Sequence, residues 1–264
     1  MSASAIPLLL FATGAGAGAL GALLGVGGGI VLVPILSLAF GVPLQHAVAV
    51  SLACVIASSS GAAAAYVRDH RCDVRLGMKL ELFTVAGAIA GAFVAPHLPA
   101  SAVQILFGLL VIPVARSLLK PTPTEDVERV EGRTVEVRNL PLGYAASFGA
   151  GTMSAVLGIG GGPIKVPLMT LLMGVPFKVA TATSNLMIGV TAAASVFVYL
   201  SRGLLDFGVA VPTVLGVIAG ATIGARLMPK VPTRALKKVF ALMLGVVGIE
   251  MLAKGFGVNL WSFL

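Results

Sequence analysis

The residues of this chain that could do chemistry are few, and most of them are glycines. Residues 25–36 read GVGGGIVLVPIL, and residues 158–169 read GIGGGPIKVPLM. The runs Gly27, Gly28, Gly29 and Gly160, Gly161, Gly162 break a helix rather than continue it, because each glycine costs about 1 kcal/mol against Ala in a helix interior. A broken helix exposes unpaired backbone N–H groups, and the positive end of its dipole favours an anion there. Glycines also let a ligand approach the backbone closely. Lys165 is the one cation deep in an apolar run, and an ionisable residue there points to function. Snorkelling of its long stem to an interface is the plainer explanation. Ser51, and in the second half Thr181, Thr183, Ser184 and Asn185, could hydrogen-bond an oxyanion or serve as glue between helices. The chemistry on offer is non-covalent capture of a small anion.

Other polar groups read as structural. Glu250 has Lys254 four residues on and Glu81 has Lys79 nearby, so both carboxylates read as ion pairs near helix ends rather than as a proton relay. Asp73 and Asp206 read as turn or cap residues. Cys54 and Cys72 have no CxxC spacing and read as unpaired thiols. His46, His70 and His97 each stand alone, so no metal and no other cofactor is expected. GVGGG does not fit the six-residue dinucleotide fingerprint, and no acidic residue follows about 20 positions on. Ser51, Cys54 and Ser184 lack a deep His or Asp partner, which argues against an intramembrane enzyme.

The two glycine stretches belong to an internal duplication. The offset is 158 − 25 = 133, and 14 of the 29 positions from 24 to 52 are identical to their partners at 157–185. Gly41-Val42-Pro43 falls on Gly174-Val175-Pro176, Tyr66 on Tyr199, Asp73 on Asp206, and Gly87 and Gly91 on Gly220 and Gly224. The period is too long for a solenoid. The chain is 58% hydrophobic and 11% charged, with mean hydropathy +1.03, against about 25% charged residues in a soluble domain. Apolar runs recur at 5–24, 30–40, 44–66, 80–95, 101–115, 141–157, 166–177, 179–200, 207–225 and 239–253. Several reach the 17 to 20 residues or so that a bilayer core requires. None alternates as a membrane barrel strand does. The fold class is an all-α polytopic membrane protein. The net charge of +8 does not point to nucleic acid, because the bases sit at the ends of apolar runs. The N-terminus has no Lys or Arg and lacks the basic region of a signal peptide.

Each half reads as a Gly-broken hairpin followed by three spanning helices. Run 30–40 is roughly 16 Å long at 1.5 Å per residue, too short to span, so 5–24 and 30–40 fold back on one another at the glycines. Spans 44–66, 80–95 and 101–115 follow, and the second half repeats the plan with hairpin 141–177 and spans 179–200, 207–225 and 239–253. The expected organisation is a first membrane repeat at 1–119, a cytoplasmic linker at 120–140 and a second membrane repeat at 141–264, with a short strand admitted at 134–137. The densest basic loops are 68–79 and 226–238, and they fall on different turns of the repeat. If both face the cytoplasm, the halves insert in opposite directions. This inverted repeat, with both termini outside, is preferred over a parallel one. Paired Gly-broken segments at matching positions of two halves are the best sequence pointer to a transporter binding site.

The duplicated GxGGGxxxVPxL, followed each time by GVP and an Ala/Ser-rich helix, resembles the sulfite exporter TauE/SafE family, also called the toluene sulfonate uptake permeases. The resemblance covers nearly the whole chain except the 120–140 linker. It implies a transporter of sulfur-containing anions such as sulfite or organosulfonates in the bacterial inner membrane. The expectation is a multi-pass secondary transporter, exporting rather than importing, with the substrate held at Gly27–Gly29 and Gly160–Gly162. Lys165 would supply charge, and Ser51, Thr181, Ser184 and Asn185 would complete the shell. A passive anion channel is the alternative. Membrane lipid and a second copy of the chain are admitted as partners. A proton is the candidate coupling ion, although no carboxylate reads as deep enough to carry it.

Overall fold

The computed structural model describes residues 5–25, 27–119 and 137–258. These form the helices α1 (Ala5–Leu24), α2 (Gly29–Leu38), α3 (Leu44–Arg68), α4 (Val74–Val94) and α5 (Ala100–Leu118). Then follow α6 (Leu140–Leu157), α7 (Gly162–Pro167), α8 (Phe177–Ser201), α9 (Phe207–Leu227) and α10 (Thr233–Gly255). No strand occurs among the described residues. Most of the expected linker and of the strand admitted at 134–137 lies outside them.

Five of these helices, α1, α3, α4, α8 and α9, are long and apolar enough to cross a membrane. Their outward faces carry large apolar side chains: Leu82 is 73% exposed and Phe197 72%. The polar side chains Ser51, Thr181, Ser184, Asn185 and Lys165 are buried instead. That inside-out distribution suits a chain whose solvent is lipid. The chain is a multi-pass, all-helical membrane protein.

The helices run past the apolar segments that announce them. α4 starts at Val74, six residues before the apolar run at 80, and α10 starts at Thr233, six before 239. The loop expected at 68–79 is therefore only 69–73. Arg75 and Lys79 sit on the first turns of α4, and Arg234 sits on the first turn of α10. Long basic stems can keep their charges in water from a helical position, so a charge ends the apolar run without ending the helix. Asp73 and Asp206 cap these helix starts as expected: Asp73 accepts from the Leu76 N–H at 2.9 Å and Asp206 from the Gly208 N–H at 2.8 Å.

Small residues let the helices touch. A Cβ added at Gly18 of α1 would stand 2.4 Å from the Val217 carbonyl oxygen of α9, and Gly220 and Gly224 of α9 lie against Ala15 and Ala19 of α1. α4 and α6 repeat these contacts at the 133-residue offset: Gly151 lies against Thr84, Gly87 against Phe148 and Gly91 against Thr152. In both pairs the contact positions rise together along the two helices. Tyr66 donates its hydroxyl to the Ala22 carbonyl and Tyr199 donates to the Ala155 carbonyl, each at 2.9 Å. At the centre α3 lies against α8, with α2 on α3 and α7 on α8. α5 pairs with α10 in antiparallel fashion: Gly108 meets Gly248, and Gly255 meets Ser101.

Candidate functional site

α2 and α7 are the two short helices, and both start at the glycine breaks. Gly27 and Gly28 have φ of 72° and 77°, and Gly160 and Gly161 have φ of 69° and 78°. This left-handed backbone favours glycine, and a residue with a Cβ would be strained there. The chain so turns back without completing a second crossing: α2 is ten residues, or about 15 Å. The two breaks touch. A Cβ on Gly29 would stand 2.8 Å from the Gly158 carbonyl oxygen and 3.0 Å from Ile159 Cα. Val55 of α3 lies against both, since a Cβ would meet its Cγ1 at 3.0 Å from Gly27 and at 2.5 Å from Gly160. The glycine positions thus converge on one place beside the middle of α3 and α8.

Ser51 and Ser184 act as struts in this arrangement. Ser51 donates to the Gly158 carbonyl at 2.7 Å, and Ser184 donates to the Gly25 carbonyl at 2.9 Å. Each serine braces the break of the opposite half, and its proton is spent on that carbonyl. Asn185 is engaged similarly, donating from Nδ2 to the carbonyls of Ala22 and Thr181 at 3.2 and 3.1 Å. The Thr181 hydroxyl is buried with no hydrogen-bond partner. Thr183 accepts from the Asp73 N–H at 2.9 Å, which ties α8 to the start of α4.

The charge lies on one side only. Lys165 is 1% exposed and donates from Nζ to Glu81 Oε2 at 2.9 Å and to Thr191 Oγ1 at 2.6 Å. Thr191 in turn donates to Glu81 Oε1. This corrects the expectation for Glu81: its ion partner is Lys165, 84 residues away, and not Lys79. It also supplies the buried carboxylate that the sequence reading lacks. Side chains two apart on a helix point to different faces, so Lys79 remains exposed while Glu81 turns inward. The repeat partners of Lys165, Glu81 and Thr191 are Leu32, Val214 and Ser58, so no second ion pair forms at the equivalent place.

Two further residues escape sequence reasoning. The Ser154 hydroxyl is buried without a partner. A Cβ at Gly161 would lie 3.3 Å from both Ser154 Cβ and Lys165 Cε, so Ser154, the break and the lysine stem form one cluster. The signal was present, because Ser154 stands where the first half has Gly21. The second is Thr191, which bridges Lys165 and Glu81. Pro163 takes the place of Ile30 and removes one N–H donor from the start of α7, where the Lys165 and Ser154 side chains lie. No group of three or more metal-ligating side chains occurs among the described residues.

The family model for the sulfite exporter TauE/SafE family matches residues 10–251. The chain belongs to that family. Among its relatives, the probable membrane transporter YunE of Bacillus subtilis is 26% identical over 94% of this chain and 98% of its own length. YdhB of the same organism, also named a probable membrane transporter, is 26% identical over 87% and 93%. A probable membrane transporter of Methanocaldococcus jannaschii is 25% identical over 94% and 95%. No solved structure matches the chain. The family assignment and the paired helix breaks concur on a membrane transporter.

Proposed function

We propose that this protein is a secondary transporter that moves a small sulfur-containing anion, sulfite or an organosulfonate, out of the cell across the inner membrane. The observation that carries the reading is the meeting of the two glycine breaks, which brings the N-termini of α2 and α7 to one place in the interior. The first N–H groups of a helix have no partner within it, and its dipole is positive at that end. Two such ends make a site for an anion, as in transporters built from broken helices. Gly28, Gly29 and Gly160–Gly162 provide backbone donors, and the Gly27 N–H is held by the Gly21 carbonyl at 3.3 Å. Thr181 and Ser154 add hydroxyls, and Lys165 adds charge. Ser51, Ser184 and Asn185 hold the breaks in place. The protein acts as a carrier and not as an enzyme, since it needs no bond-making group.

In this reading residues 1–119 and 141–264 are two repeats inserted in opposite senses, joined by a cytoplasmic linker at 120–140. Supporting this, α1 runs alongside α9 in the same direction, and α4 runs alongside α6 likewise. The short turns at 69–73 and 202–206 reverse α3 into α4 and α8 into α9. Rocking of one half against the other about the breaks gives alternating access.

The test is binding of an anion panel to the purified protein in detergent: sulfite, thiosulfate, sulfate, sulfoacetate, taurine and acetate. Wild type is compared with Lys165→Ala, Ser154→Ala and Gly161→Val. Saturable binding of one sulfur anion, weakened in all three variants, is expected. If only a non-sulfur ligand binds, the substrate class is wrong. If a sulfur anion binds equally well to every variant, the site is wrong.

A further inference from the structure

We propose that Glu81 is the proton carrier of the transport cycle, holding one proton whenever Lys165 holds the anion. The inference rests on the anion-carrier reading above and adds its coupling ion.

The argument starts from charge. Lys165 and Glu81 are both out of water, at 1% and 8% exposure, and they neutralise one another at 2.9 Å. An anion that reaches the Gly161 break meets a lysine whose charge is already cancelled. Admitting it beside an ionised Glu81 leaves a net charge of −1 in a buried place, which is strongly unfavourable. One proton on Glu81 removes that charge. The exchange balances as anion plus proton plus the Glu81 carboxylate–Lys165 ammonium pair, giving the Glu81 carboxylic acid and the Lys165 ammonium–anion pair. One O–H bond forms on the carboxylate. One Nζ–H hydrogen bond moves from Glu81 Oε2 to the anion. Release of the anion and the proton re-forms the original pair.

Both end states are neutral, so loaded and empty carriers can each rearrange without a bare buried charge. Thr191 suits both states. Its hydroxyl donates to the carboxylate now, and it can accept from the carboxylic acid after protonation. Since Leu32, Val214 and Ser58 occupy the positions related to Lys165, Glu81 and Thr191 by the repeat, only one such exchange is built in. The coupling is one proton per anion, and direction follows the combined gradients of anion and proton. An anion that accumulates inside is exported with a proton.

The surroundings of Glu81 leave Lys165 as its partner. α7 presents Lys165. α8 presents Thr191, and its own ionisable residues, Lys178 and Tyr199, lie near its two ends. α6 has Tyr144, which stacks on Phe83 with ring centroids 4.5 Å apart. The short turn after α4 carries His97, whose ring pairs with the Phe93 carbonyl. On α4 itself Arg75 and Lys79 are exposed. The plainer alternative is a fixed structural ion pair, and it predicts no proton movement.

The experiment uses the full chain in sealed vesicles that trap a pH-sensitive dye, with sulfite and an alkanesulfonate as probes. The alkanesulfonate keeps its single charge across the working pH range, so a pH effect on its flux reports the protein. Wild type is expected to move one proton with each anion. Glu81→Gln mimics the protonated acid and cannot release a proton. Its net flux should fall about a hundredfold, because the empty carrier would return with Lys165 uncompensated. Anion-for-anion exchange, which never passes through the empty carrier, should continue in this variant without proton movement. Anion flux through wild type with no accompanying proton overturns the proposal and leaves the carrier reading standing, whatever the variant does. Proton-coupled net flux in Glu81→Gln also overturns it. If neither probe nor any anion of the panel crosses with wild type, the carrier reading itself fails and takes this inference with it.

Discussion

Replacing Gly151 by Ala tests whether close helix approach holds the bundle together. A Cβ at Gly151 would stand 1.9 Å from the Thr84 carbonyl oxygen, where ordinary contact begins at 3.4 Å. α4 and α6 must therefore separate by about 1.5 Å, the difference 3.4 − 1.9. Overpacking of this kind costs about 1–3 kcal/mol. Gly149, two residues earlier on the same helix, has nothing within 4 Å of its would-be Cβ. Ala there should add up to about 1 kcal/mol through helix propensity. The two substitutions change the same atoms on one helix, so their difference isolates the contact with α4. At about 2–4 °C per kcal/mol for a chain of this size, Gly151→Ala should melt several degrees below Gly149→Ala. The assay is thermal unfolding in detergent, read by a thiol dye that fluoresces when buried Cys54 is released. Gly18→Ala and Gly16→Ala repeat the comparison at the 133-residue offset, since Gly18 would meet the Val217 carbonyl at 2.4 Å and Gly16 is open. Equal melting of Gly151→Ala and Gly149→Ala would refute the reasoning.

Tyr199→Phe strands the Ala155 carbonyl and should destabilise by about 1–3 kcal/mol, whereas Tyr66→Phe leaves the Ala22 carbonyl with its bond from Asn185 and should cost less; a larger loss for Tyr66→Phe would contradict this. Lys165→Met should destabilise by about 3–5 kcal/mol by leaving Glu81 unpaired, whereas adding Glu81→Gln to it should recover much of that loss; a thermal-shift double-mutant cycle with no coupling contradicts the pair. Single cysteines at Leu98 and Arg202, in a background without Cys54 and Cys72, should both react with an impermeant reagent from outside the cell; protection of either contradicts the proposed orientation. Burial raises the Cys72 thiol above its ordinary value, so less thiolate is present at neutral pH. Its labelling should still be accelerating where an exposed thiol has already reached its plateau, and a plateau at ordinary pH would contradict its burial.

The duplicated glycines and the spans are readable from sequence because apolar run length and local breaks decide them, and Gly27 and Gly160 take the backbone conformation their type suggests. What sequence cannot place is contact between distant segments. Ser51 and Ser184 look like ligands until the structure shows each donating to the opposite break. By sequence Glu81 pairs with the nearest base, yet it lies with Gly77, Thr84, Ala88 and Gly91 on the buried, small-residue face of α4. That 4-3-4-3 spacing is the signal that it points inward. Its partner, 84 residues away, follows only from tertiary packing.

The lopsided placement of Lys165, Glu81 and Thr191 has an energetic consequence. Two identical repeats in opposed orientation would make the outward-facing and inward-facing forms equal in energy, each being the other turned over. A polar network that occurs only once among the described residues, joining Lys165 and Thr191 of one repeat to Glu81 of the other, lifts that degeneracy. The empty protein is therefore expected to rest with one side shut, and its resting form is set by whichever rearrangement leaves the Lys165–Glu81 contact intact.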